Sequence, residues 1–219
     1  MNVWDILFGD ERYLFLWRGL EVTILLTVFS TIIGLVIGLV VALMQQSAWQ
    51  PWVSLAHAYT TVIRGTPALV QLLIMYYVVF GSYRGVPKLW IASLAFGINS
   101  GAYIAEIIRG GIESIDNGQV EAARSLGLSR WQTMRYIILP QALKQSLPSL
   151  ISEGISLLKE TSVVGWIGMN DLMRGADNIR FQTATAFESL FAAAMIYLAL
   201  TTLFTWVMNR VERRLKAHD

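Results

Sequence analysis

The chain has 219 residues, 55% hydrophobic and only 15% charged, with a formal net charge of +2. Soluble domains carry about 25% charged residues, so this composition, with a mean hydropathy of +0.52, predicts an all-α integral membrane protein. The small charge argues against nucleic acid as a partner. The lack of cysteine excludes disulfides, thiol nucleophiles and thiolate metal sites, and two histidines make a zinc site a poor fit.

The N-terminal stretch MNVWDILFGDERYLFLWRG is acidic and aromatic rather than basic. It does not read as a cleavable signal, so the first apolar segment is expected to remain as an anchor. A membrane-spanning helix needs roughly 20 mostly apolar residues. Residues 20–44 form the first such run, with Glu21 at its start and Gly34 and Gly38 spaced for close helix contact. Residues 52–80 form the second, interrupted by Arg64-Gly65-Thr66-Pro67. Pro67 removes a backbone donor and turns Thr66 away from helical geometry, which predicts a bent or broken helix. Broken backbone at membrane depth is tolerated where it is buried in protein or lines a cavity. Residues 89–108, 147–167 and 187–208 complete five expected spans, which put the termini on opposite sides.

Basic flanks set the orientation. With the C-terminus inside, the inner flanks hold Arg109, Arg124, Arg130, Arg135, Lys144, Arg210, Arg213, Arg214 and Lys216; the outer ones hold Arg12, Arg18, Arg84, Lys88, Lys159, Arg174 and Arg180. The tail NRVERRLKAHD packs four basic residues after the last span. The N-terminus is therefore expected outside and the C-terminus in the cytoplasm, and residues 1–219 read as one transmembrane domain.

Between the third and fourth spans lies EAARSLGLSRWQTMRYIILP, residues 121–140. Asp116 with Gln119, and Ser129 with Gln132, have capping-box spacing. Gly127 falls between the two capped segments, where a helix end favours a left-handed residue. Two short helices over about 117–136, joined by a glycine turn, are expected. They read either as a rigid knuckle for another protein's cleft or as a solvated loop with helical turns.

Glu121-Ala122-Ala123, then Gly127, then Ile137-Ile138-Leu139-Pro140 resembles the EAA motif of permease subunits of ATP-binding cassette importers. IRGTP at 63–67, NSGAYIAEIIRGGIESIDNGQ at 99–119 and LLKETS at 157–162 are similar to the polar amino-acid branch, the histidine and glutamine permease type. Glu160 departs from the Asp that many relatives carry. The resemblance implies a type I importer permease fold in the bacterial cytoplasmic (inner) membrane, with 117–136 as cytoplasmic coupling helices. It places Glu121, Ala122, Ala123, Gly127, Ser129 and Arg130 at or near a docking surface. Implied partners are an ATP-binding cassette ATPase subunit, a second permease subunit (a like or homologous chain), an extracytoplasmic amino-acid-binding protein and membrane lipid. The chain itself is not expected to be an enzyme: a phosphate loop ends Gly-Lys-Ser/Thr, and none of Lys88, Lys144, Lys159 and Lys216 follows a glycine. No cofactor is expected on this chain, with ATP and magnesium held by the partner.

Ionisable groups at membrane depth are functional candidates by default. Ser149, Ser152, Glu153, Ser156 and Glu160 recur at three- and four-residue spacing, giving one helix face expected to look into the bundle. Serines there also serve interhelical hydrogen bonds. Glu153 has no basic residue within a turn, so it either meets a positively charged ligand group or pairs internally with Arg64 or Lys159. Asn99 and Tyr103 share a face, as do Arg64, Pro67 and Gln71 near the break. The resemblance implies more: in family members that hold substrate in the membrane, the positions matching Glu153 and Asn99 line the pocket. The candidate substrate set is thus Glu153, Asn99, Gln71, Ser152, Ser156 and Arg64. A carboxylate favours ammonium or guanidinium, which makes arginine, lysine or histidine the first expectation and glutamine or another neutral polar amino acid the alternative. An intramembrane enzyme using Glu153, Glu160 and Glu106 lacks a nucleophile or metal-ligand set, and a passive channel leaves the knuckle without a purpose.

Overall fold

The computed structural model describes residues 2–83 and 85–216; Arg84, counted in the outer flank, lies outside them, as does the side chain of Lys216. Every regular element among the described residues is a helix. A short α1 (Val3–Phe8) leads into α2 (Tyr13–Gln45), 33 residues and about 50 Å at 1.5 Å per residue. The helix exceeds the predicted 20–44 because the largely apolar, aromatic stretch 13–19 is helical as well.

The expected span over 52–80 is divided. α3 (Gln50–Arg64) stops at Gly65, and α4 (Ala68–Leu73) starts after Pro67, whose extended backbone (φ −63°, ψ 136°) caps it. A π-helical turn, Ile74–Val79, prolongs α4, and the two pieces meet at a bend of 102°. Proline predicted the break; the size of the bend follows from α3 packing across α2 and α5, with Ala56 buried against Val41 and Ala105.

α5 (Lys88–Glu113) lies against α2 along a contact made of glycine. A Cβ on Gly38 would stand 2.5 Å from Ile104 Cγ2, and one on Gly97 2.5 Å from Ile33 Cγ2. Both are closer than van der Waals contact allows, so these two axes approach as they do because the side chains are missing.

After α5 come α6 (Asn117–Ser125) and α7 (Arg130–Thr133). α7 is not a separate helix. A π-helical turn, Met134–Ile138, carries it directly into α8 (Leu139–Glu160), so the predicted start at 147 is some 17 residues late. The polar residues Gln141, Lys144 and Gln145 hide this continuity from a hydropathy reading, and the π turn accommodates Pro140, which has no N–H to donate. A 3₁₀ segment, Thr161–Ile167, ends the fourth expected span. α9 (Leu172–Thr183), unanticipated, precedes α10 (Ala186–Lys216).

α2, α5 and α10 are long and apolar enough to cross a membrane, and the bent α3–α4 pair makes a fourth candidate. α8 is the polar remainder of the five expected. Two cores stack along α5. Leu26, Leu72, Phe96, Leu157 and Val164 meet near the α8 C-terminus; Ala42, Ile108, Ile112, Ile115, Ile138 and Ala142 meet at the other end. The second core fixes the base of α8 to the end of α5, where the α6–α7 turn projects.

Candidate functional site

The α6–α7 turn is built by local hydrogen bonding. Asp116 caps α6 through the Gly118 N–H at 2.6 Å. The Asp116–Gln119 capping box does not form, because the Gln119 Oε1 instead accepts from Gln141 Nε2 on α8 at 2.6 Å. Gly127 adopts φ +88°. Its N–H bonds to Arg124 O at 3.0 Å and that of Leu128 to Ala123 O at 3.1 Å, the paired bonds of a Schellman ending. The Arg124 guanidinium closes the turn on Leu128 O at 2.8 Å. On the far side Ser129 and Gln132 form the predicted box: Gln132 N–H donates to Ser129 Oγ (3.2 Å), and Ser129 N–H to Gln132 Oε1 (2.8 Å).

The turn stands proud of the bundle. Glu121, Ala122, Gly127, Ser129 and Arg130 are exposed, while Ala123 is buried and anchors α6. Leu126 is 82% exposed and Trp131 67%, two apolar side chains that the motif reading passed over. They add apolar area to the exposed side of the turn. A cleft of about 990 Å³ lies alongside, lined by Leu43, Ile112, Val120, Arg124, Arg130 and Trp131 among others.

The membrane-depth polar groups are arranged differently from expectation. The α8 stripe does not face the bundle interior: Ser149, Ser152 and Glu160 are exposed, and Glu153 and Ser156 are half-buried. Ser146, one turn earlier, is the buried serine, donating to Ile107 O at 3.2 Å. Ser152 donates back to Pro148 O at 3.0 Å. One subunit therefore leaves this face open. Glu153 accepts from Ser100 Oγ at 2.8 Å, and among the described residues no ion pair includes it. The internal pairing with Arg64 or Lys159 is not made.

Arg64 instead lies 3.6 Å from Glu106 and over the Tyr103 ring, 5.4 Å from its centroid. Glu106 gathers the bundle here: Gln45 Nε2 of α2 donates to it at 2.7 Å, and Arg109 at 2.9 and 3.1 Å. Asn99 is buried, 3% exposed, and donates to Gln71 Oε1 at 3.1 Å. Gln71 donates to Ile63 O at 2.8 Å and to Thr66 O at 3.2 Å. Of the six predicted substrate residues, the structure thus leaves Glu153, Ser152 and Ser156 on the open face. Asn99 and Gln71 are turned toward the helix break.

The residue that sequence reasoning missed is Asp171. Fully buried, it caps α9 through the N–H groups of Met173 (3.2 Å) and Arg174 (3.1 Å). Burial pushes its carboxyl up to about 6, against the lowering effect of those two donors. Asp-Leu at the head of a polar-apolar run was the available signal.

Residues 34–217 match the family described as binding-protein-dependent transport system inner membrane components. The chain is 40% identical over 213 residues to the arginine transport system permease protein ArtQ of Bacillus subtilis (strain 168), covering 94% of each. It is 41% identical over 170 residues to the glutamine transport system permease protein GlnP of Escherichia coli (strain K12), covering 75% of this chain and 77% of that one. Among solved structures, an amino acid ABC transporter with histidines is 43% identical with a TM-score of 0.87, over 98% of this chain and 100% of that one. The inward-facing MetNI methionine ABC transporter, 21% identical with a TM-score of 0.81 over 94% and 98%, shares the fold.

Proposed function

The chain belongs to the family of binding-protein-dependent transport system inner membrane components, as a permease subunit of an amino-acid ATP-binding cassette importer, and we propose that its cargo is a cationic amino acid: arginine, lysine or histidine. The observation that carries this reading is Glu153, a half-buried carboxylate on the open face of α8, hydrogen-bonded to Ser100 and in no described ion pair. An ammonium or guanidinium group suits it, and an acidic side chain is repelled. The similarity to ArtQ supports the same assignment. The similarity to GlnP supports the second reading, in which Glu153 receives only the α-ammonium of glutamine or another neutral polar amino acid.

The open α8 face supports a two-subunit path, with a like or homologous chain supplying the opposite wall. The N-terminus lies outside and the C-terminus in the cytoplasm, where the α6–α7 turn docks on a separate ATPase that holds ATP and magnesium. An extracytoplasmic binding protein delivers the amino acid to the outer end. Because α7 runs unbroken through the π turn into α8, closure of the ATPase pair moves Glu153 and its docking helix as one lever. Closure turns the cavity outward, and hydrolysis returns it inward.

The test is ATPase stimulation of the reconstituted importer across a panel of amino acids, with Glu153→Gln beside the wild type. Cationic amino acids should stimulate most, and the variant should lose that preference. Equal stimulation by neutral amino acids together with an indifferent variant refutes the cationic reading.

A further inference from the structure

Two consecutive residues on the buried side of α5 reach the two halves of the candidate site. Ser100, 1% exposed, donates to Glu153 Oε1 at 2.8 Å. Asn99, 3% exposed, donates to Gln71 Oε1 at 3.1 Å. Gln71 Nε2 then serves Ile63 O, Thr66 O and Thr66 Oγ1 at 2.8, 3.2 and 2.8 Å. The last carbonyls of a helix have no partner within it, so this amide closes the end of α3 that the break leaves open. Successive side chains leave a helix about 100° apart, which lets one point to α8 and its neighbour to the break.

α5 is also packed closely against α2. Its glycine contact with α2 at Gly97 and Ile104 leaves no room for a methyl group. Groups mounted on it therefore keep their separation while α3, α4 and α8 are held to it.

We infer that Asn99 and Ser100 are a positioning pair: Ser100 fixes one oxygen of Glu153 so that the other is presented to the cationic group of the cargo, while Asn99, through Gln71, holds the broken end of α3. This rests on the reading of Glu153 as the cargo's counter-ion. Glu153 Oε2 has no hydrogen bond among the described residues, which leaves it available for a ligand donor. A carboxylate free to rotate would present either oxygen in several directions, and a bound cation would then have to order it at a cost in affinity.

The experiment measures equilibrium binding of labelled arginine, and of citrulline as its neutral near-isostere, to the purified permease–ATPase complex. Ser100→Ala is expected to weaken arginine binding about tenfold, equivalent to about 1.4 kcal/mol, and to change citrulline binding by less than about twofold. Ser100→Cys, of similar size but a weaker donor, should fall between. In the Glu153→Gln background Ser100→Ala should add nothing, because the group it orients is gone. Asn99→Ala should weaken both probes alike, since it acts on the break and not on the carboxylate. If Glu153→Gln weakens arginine binding and Ser100→Ala does not, the inference is overturned and the Glu153 reading survives. Equal loss of arginine and citrulline with Ser100→Ala, or further loss in the Glu153→Gln background, also overturns it as general damage to packing. Unchanged arginine binding by Glu153→Gln itself overturns the underlying reading and the inference with it.

Discussion

Replacing Gly127 with alanine separates backbone strain from crowding at the α6–α7 turn, which we propose docks on the ATPase. Gly127 sits at φ +88°, and a Cβ built there meets no atom within 4 Å. The penalty is therefore the left-handed backbone alone, roughly 1–2 kcal/mol for a residue with a Cβ. That energy corresponds to roughly 5- to 30-fold in the population of the correct turn. The turn is held by the Gly127 and Leu128 N–H bonds to α6 and by Arg124 on Leu128 O, so relaxing the strain means giving these up and swinging α6 away from α7. Affinity of the purified ATPase subunit for nanodisc-embedded permease is the direct readout, with ATP hydrolysed per amino acid imported as the functional one. Asparagine, which tolerates the left-handed region, should lose least, alanine about tenfold, and valine most. Equal affinity for glycine, alanine and valine would refute the claim that this conformation is what makes the turn dock.

Glu121→Lys should reduce ATP-driven uptake while leaving membrane insertion intact: Glu121 is exposed, and such substitutions change stability by about 0.5 kcal/mol or less. Normal uptake would count against its docking role. Asp171 makes stability pH-dependent, because burial raises its carboxyl from 3.8 to about 6. Below pH about 4 the group is protonated in both folded and unfolded chains, and the fold keeps its full stability. As pH rises from there through about 6 the unfolded chain ionises first, so stability falls by up to about 3 kcal/mol and then levels off. Asp171→Asn keeps an oxygen for the α9 N–H groups and should flatten that fall in a thermal-unfolding series from pH 4 to 7; an unchanged pH profile would show that Asp171 is not its source.

Local chemistry was readable wherever a residue's role depends on its near neighbours. Ser129 and Gln132 formed their box and Gly127 its left-handed turn, because capping needs only residues three or so apart. Pro67 broke the helix for the same reason. The Asp116–Gln119 box failed because Gln119 found a better-placed partner in Gln141, which lies 22 residues on. Sequence spacing carries no information about such competition.

The membrane-depth site was half legible. The α8 stripe was visible as a periodicity, and its polar face was assigned to the bundle interior on the premise that one chain encloses it. The chain instead leaves that face open, which periodicity within one helix cannot reveal. Asn99 and Gln71 are polar residues near a break, which fits both a ligand site and a structural plug. The structure adds their 3.1 Å contact and the 3% exposure of Asn99, neither of which residue spacing could supply.

By itself the sequence determined the solvent, the helical class, the place of the break, the shape of the α6–α7 turn and the resemblance to importer permeases. Each of these follows from composition or from interactions within a few residues. Tertiary structure decided the 102° bend, the fusion of α7 with α8, the outward face of Glu153 and the two-armed use of Asn99 and Ser100. These depend on which surfaces meet across 28 to 53 residues of chain, and that is settled by the close approach of α2 and α5, where glycine leaves room for backbone and every other side chain must fit around it.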